Sequence, residues 1–109
     1  MQKHAVKNPS IILDTSHDNS RVNGVKHEEN QARVIREVMA LFKKRPELMK
    51  TVKGFMFESF IKAGAQKVDL SAPERLDKEG LSITDPCLNF EQTENLLFEL
   101  AEFKDKVKV

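Results

Sequence analysis

A chain of 109 residues is long enough for one ordinary domain and not for two. With 39% hydrophobic and 32% charged residues it reads as globular and soluble, and a formal net charge of +1 argues against nucleic-acid or membrane-surface binding. Its single cysteine, Cys87, excludes an internal disulfide and suits a reducing cytoplasm, and no apolar run approaches the roughly 20 residues of a membrane span.

The opening "MQKHAVKNPS" lacks the apolar core of a signal peptide. His4 has no motif around it and reads as a surface residue, as does His27 further on. Residues 10–14, "SIILD", form a short β-branched run between Asn8-Pro9 and a polar cluster, which predicts a strand. Asn23-Gly24 is a turn signal. Over 28–44 the apolar positions Ala32, Val34, Ile35, Val38, Met39, Leu41 and Phe42 have helical spacing with one buried face. Glu28 and Glu29 in the first turn and Lys43, Lys44 and Arg45 in the last suit the helix dipole, and Pro46 stops the helix. The basic residues between Arg33 and Lys53 are interrupted by Glu37 and Glu47, so they read as a solvated face rather than an anion site. Residues 52–57, "VKGFMF", predict a second strand that runs straight into Glu58 and Ser59. Residues 58–88 read as a loop. Residues 90–106 predict a helix with Leu96, Leu97, Leu100, Ala101 and Phe103 on one side, and Asn89 followed by Gln92 resembles a capping box.

The order strand, helix, strand, loop, helix implies an α/β fold with parallel pairing through a crossover helix. Both strands are apolar throughout, as in a sheet covered on both faces. Two strands and two helices cannot cover themselves on both sides, so the chain reads as part of something larger. Three groups, His17, Glu58 and Asp85, fall just beyond the ends of predicted elements, where α/β folds place their chemistry. One imidazole and two carboxylates suit a divalent cation of the Mn, Fe, Co or Zn class. Spacing alone leaves a plainer alternative open, with His17 in a turn, Glu58 solvated and Asp85 capping a loop.

"DTSHDNS" (14–20), "FESFIKAGAQ" (57–66) and "SITDPC" (82–87), followed by Glu91, Thr93 and Leu96, together resemble the C-terminal part of the class I DAHP synthases. The family's motifs run SHxNS, then VES with a Gly and a Gln downstream, then SITDAC or SITDPC ahead of a helix with E-x-T-x-x-L. The resemblance implies a (β/α)8 barrel, of which this chain is a C-terminal fragment carrying the seventh and eighth βα units. Such a barrel typically needs about 250 residues. It also implies condensation of phosphoenolpyruvate with erythrose 4-phosphate, the entry reaction of the shikimate pathway to aromatic amino acids, in the cytoplasm. By the same resemblance His17, Glu58 and Asp85 are three of the four protein ligands of a catalytic divalent metal, with His17 and Asp85 the catalytic residues. The fourth ligand is a cysteine of an early strand, which Cys87 does not match.

The sequence departs from the family at Phe60, Leu81, Asn89 and Phe90, and the link from Ser20 to Gln31 is longer than expected. Lys26 is a candidate for the basic residue that usually follows SHxNS. Three readings follow: a synthase piece, truncated or split, needing an N-terminal complementing chain; a metal-binding or assembly module without catalysis, pairing through strand edges; or an inactive relic that depends on self-association.

Overall fold

The computed structural model describes residues 6–107, so His4 lies outside the described residues. Strand β1 (Ile11–Asp14) pairs in parallel with β4 (Val52–Met56), and helix α1 (Glu29–Lys44) makes the crossover between them. The register runs from Ile12 opposite Gly54 to Asp14 opposite Met56, with an irregularity between Ile11 and Ile12. Beyond the strand ends the ladder is continued by the Thr15 N–H, which donates to the Met56 carbonyl at 2.8 Å. Helix α2 (Phe90–Lys106) ends the described fold.

The unexpected length between Ser20 and Gln31 is a two-stranded hairpin, β2 (Arg21–Val22) against β3 (Val25–Lys26). Asn23 and Gly24 turn it with φ of 53° and 79°, the two positive values a tight hairpin turn requires. The predicted capping box of α2 is present: the Gln92 N–H donates to Asn89 Oδ1 at 2.7 Å and the Asn89 N–H to Gln92 Oε1 at 2.8 Å. Asn89, a departure from the family pattern, is therefore the cap.

The segment 58–88 carries a short 3-10 turn (Pro73–Arg75) and is stitched by isolated bridges rather than being featureless. Ser59 pairs with Leu88, Gly64 with Cys87, and Ala65 with Ser82. Gln66 pins its far side, donating to the Asp77 and Leu81 carbonyls while accepting from the Asp77 N–H.

Ile35, Leu88 and Leu96 form the fully buried core, with Met39, Phe55, Phe57 and Leu100 packed around them. The helices thus cover one face of the β1–β4 pair. The other face is open: Ile12 is 68% exposed, and Met56 also faces solvent. Apolar strands that a full barrel would bury on both sides are here buried on one. The helices repeat the pattern, with Leu41 of α1 and Phe90, Leu97 and Phe98 of α2 exposed. Two basic residues of α1 are solvated and paired, Arg33 with Glu37 at 2.9 Å and Arg36 with Glu99.

Candidate metal centre

The polar run after β1 is a turn closed by its own side chains. Asp14 Oδ1 accepts the Ser16 N–H at 2.9 Å, Asn19 Nδ2 donates to the Asp14 carbonyl, and buried Ser20 donates to the Ser16 and His17 carbonyls. Such short side chains satisfy backbone groups that a strand leaves unpaired where it stops. The His17 ring is left standing on the rim, about half exposed.

Glu58 follows the end of β4, directly beside β1 in the parallel pair, so the first two candidate residues become neighbours through register alone. Asp85 arrives by another route. Its carbonyl accepts from the buried Ser82 hydroxyl at 2.7 Å, and Leu88, three residues on, donates its N–H to the Glu58 carbonyl at 3.0 Å. The SITDPC turn is thereby anchored against the end of β4.

The structure brings His17, Glu58 and Asp85 together, with one ligand atom from each within 4.8 Å of the others. His17 Nε2 stands 3.4 Å from Glu58 Oε1 and 3.5 Å from Asp85 Oδ2. Nitrogen and oxygen ligands about 2.1 Å from a tetrahedral ion lie about 3.4 Å apart, so this spacing and donor set fit one cation.

Four neighbours tune the cluster, and of these the sequence singles out only Lys26, as the candidate basic residue after SHxNS. Asp14 Oδ2 lies 2.6 Å from His17 Nδ1. A carboxylate can only accept, so Nδ1 carries a proton, and in the neutral ring Nε2 then turns its lone pair toward the two acids. Ser16 donates its hydroxyl to Glu58 Oε1. Lys26, delivered by the hairpin, reaches Asp85 Oδ1 at 2.6 Å. Gln31, buried in the first turn of α1, bonds to the Glu58 backbone. Of these contacts only Asp14–His17, three residues apart, is local; the others join distant segments, although the Asn-Gly turn marked the stretch that carries Lys26.

Electrostatics follow from the contacts. The hydrogen bond and charge of Asp14 raise the His17 pKa above its ordinary value, with Glu58 and Asp85 adding to the effect. Burial pushes the Asp14 carboxyl up, but bonds from Ser16 and His17 outweigh it and its pKa lies below the usual range. The Lys26 ammonium holds Asp85 low. Three acceptor atoms thus converge with no donor between them. Such an arrangement is stable only with a proton on His17 Nε2 or a cation in the middle.

Cys87 takes no part. It is buried at 7% exposure, its Sγ rests on the Asp85 carbonyl at 3.4 Å, and burial raises its pKa. A second acidic grouping, His27, Glu28 and Glu29, lies at the start of α1 and is largely exposed.

The family model described as the DAHP synthetase I family matches residues 1–98. The chain belongs to the DAHP synthetase I family. A phospho-2-dehydro-3-deoxyheptonate aldolase of Alternaria alternata is 40% identical over 95 residues, covering 86% of this chain and 23% of that protein. The Trp-sensitive enzyme of the same name from Escherichia coli is 34% identical over 95 residues, covering 87% and 24%. Among solved structures, the phospho-2-dehydro-3-deoxyheptonate aldolase of Francisella tularensis superposes with a TM-score of 0.67 at 30% identity, over 86% of this chain and 24% of that one. The mixed α/β fold is that of a DAHP synthase over the matched region, and the chain spans about a quarter of the length of these relatives. No helix among the described residues is long and apolar enough to cross a membrane.

Proposed function

We propose that this chain contributes the seventh and eighth βα units of a DAHP synthase barrel, and that His17, Glu58 and Asp85 are three ligands of its divalent metal. The convergence of three acceptors 3.4 to 3.5 Å apart around His17 Nε2, with no donor among them, carries the reading. The one-quarter share of the relatives' length matches two units of eight, and the open face of the strand pair is what the remaining strands would cover.

The reaction is the condensation of phosphoenolpyruvate with erythrose 4-phosphate, releasing phosphate. A bound divalent ion of the Mn, Fe, Co or Zn class supplies Lewis-acid polarisation of a substrate oxygen. The chain's own residues do the holding. Asp14 fixes the His17 ring and its tautomer, as an outer carboxylate does for metal-binding imidazoles. Ser16 orients the Glu58 carboxylate, and Lys26 takes one Asp85 oxygen so that the other faces His17.

Mixing the chain with a polypeptide that carries the other six βα units tests this reading. Phosphate release should require both substrates and vanish in His17→Ala. Absence of both complex and activity overturns it. A complex without activity is the outcome of the alternative, an assembly module without catalysis, which the exposed Ile12 and Met56 favour.

A further inference from the structure

We propose that Gln31 is a positioning residue that sets the Glu58 and Asp85 carboxylates relative to each other. The inference rests on the metal-site reading above and deepens it. Gln31 is fully buried, at 0% exposure, in the first turn of α1. A buried amide is costly unless every polar atom is paired, so its partners reveal its use. Oε1 accepts the Glu58 N–H at 2.8 Å, and Nε2 donates to the Glu58 carbonyl at 3.2 Å and the Pro86 carbonyl at 3.3 Å. One planar amide therefore grips both backbone groups of Glu58 and the carbonyl of the residue after Asp85.

The location explains the choice of residue. Strand β4 ends at Met56, so Glu58 has lost its ladder on the β1 side, and Gln31 supplies there the donor and acceptor of an absent strand neighbour. Its neighbour Asn30 donates to the Ser20 carbonyl at 2.7 Å and closes the turn that carries His17. A single helical turn thus ties down the three segments bearing His17, Glu58 and Asp85. An apolar side chain could fill the same volume but could not tie the two loops together.

The test uses the protein as its gene encodes it, with Co²⁺ as the probe and amide hydrogen exchange as a metal-independent readout. Gln31→Met keeps the volume and removes all three bonds. Co²⁺ affinity should fall about 10- to 100-fold, as for loss of an outer support of a metal ligand. The Glu58 amide should lose its exchange protection while the amides of α2 keep theirs. Gln31→Glu retains only the acceptor toward the Glu58 N–H. It should spare more of that protection yet still weaken Co²⁺. Unchanged Co²⁺ affinity together with unchanged Glu58 protection overturns the proposal. So does an equal loss of protection in α2 and at Glu58 in both variants, which would make Gln31 ordinary packing. If wild type and His17→Ala bind Co²⁺ alike, the metal reading fails, and exchange at Glu58 alone then decides the positioning role.

Discussion

Leu96 and Leu97 look alike in the sequence and differ sharply in the structure, at 1% and 53% exposure. Leu96 packs on Ile35 and on Leu88, the residue that anchors the Asp85 turn beside Glu58. Leu96→Ala removes three carbons from the core, about 2.4 kcal/mol at roughly 0.8 kcal/mol each. A residual cavity on the order of 40 Å3 adds about 1 kcal/mol, for a total near 3.4 kcal/mol. Leu97→Ala leaves no cavity and gains a little helix propensity, so its cost stays below about 1 kcal/mol.

Urea unfolding of the 109-residue chain, followed by helical circular dichroism, measures both. Equal losses, or a larger loss for Leu97→Ala, would refute the packing of α2 described here. The comparison also reports on what lies outside α2. Joined to the six other βα units of the proposed barrel, Leu97 should become covered and Leu97→Ala correspondingly costly.

The pH dependence of metal-free stability should have two limbs of opposite sign. Asp14 and Asp85 have lowered pKa values, so their contributions are complete above their unfolded values of about 4 and are lost as pH falls through the folded ones. His17 is raised, so its contribution is complete below about 6.5 and is lost as pH rises through the folded value. Unfolding midpoints should therefore peak between about pH 4 and 6.5, and Asp14→Asn should flatten the upper limb. A midpoint that climbs steadily through neutral pH in both proteins would contradict the Asp14–His17 contact. Gly80→Ala should destabilise by more than about 3 kcal/mol, since a Cβ there would sit 2.4 Å from Ile61 Cβ at a φ of +109°. Gly24→Ala, at φ +79° in open space, should cost about 1 kcal/mol; equal midpoints for the two would rule out the close packing of Ile61 on Gly80.

What was legible follows from what is local. The capping box of α2 is a three-residue signal, and the structure contains both of its hydrogen bonds. The β-branched run of β1 and its polar tail were equally plain, because a strand that stops must pair its last groups with something nearby. The rotation of α2 was not legible. Helical spacing admits Leu96, Leu97 and Ala101 on one stripe, and only the position of Leu88 decides that Leu96 is inside. The exposure of Ile12, by contrast, was anticipated, since strands apolar throughout cannot be covered on both faces by two helices.

The site divides in the same way. His17 and Glu58 could be paired by reasoning, because neighbouring parallel strands end side by side at one rim. Asp85 was grouped with them only loosely, since it lies in a segment with no period; the SITDPC resemblance made the grouping specific. Among the supports, Lys26 was suggested by the resemblance and Asp14 lies only three residues from His17, whereas the Ser16 and Gln31 contacts to Glu58 span 42 and 27 residues and could not be read from spacing. Yet they explain why the cluster exists in a chain whose β-sheet is open on one face. Each of the three acceptors is held from within the chain: His17 by Asp14, Glu58 by Ser16 and Gln31, Asp85 by Lys26. The holds by Ser16, Lys26 and Gln31 come from outside the strands, whereas Asp14, two residues after Ile12, lies on the same uncovered strand face. The supports of Glu58 and Asp85 therefore lie within the chain, while the Asp14–His17 contact borders the strand face that is left open.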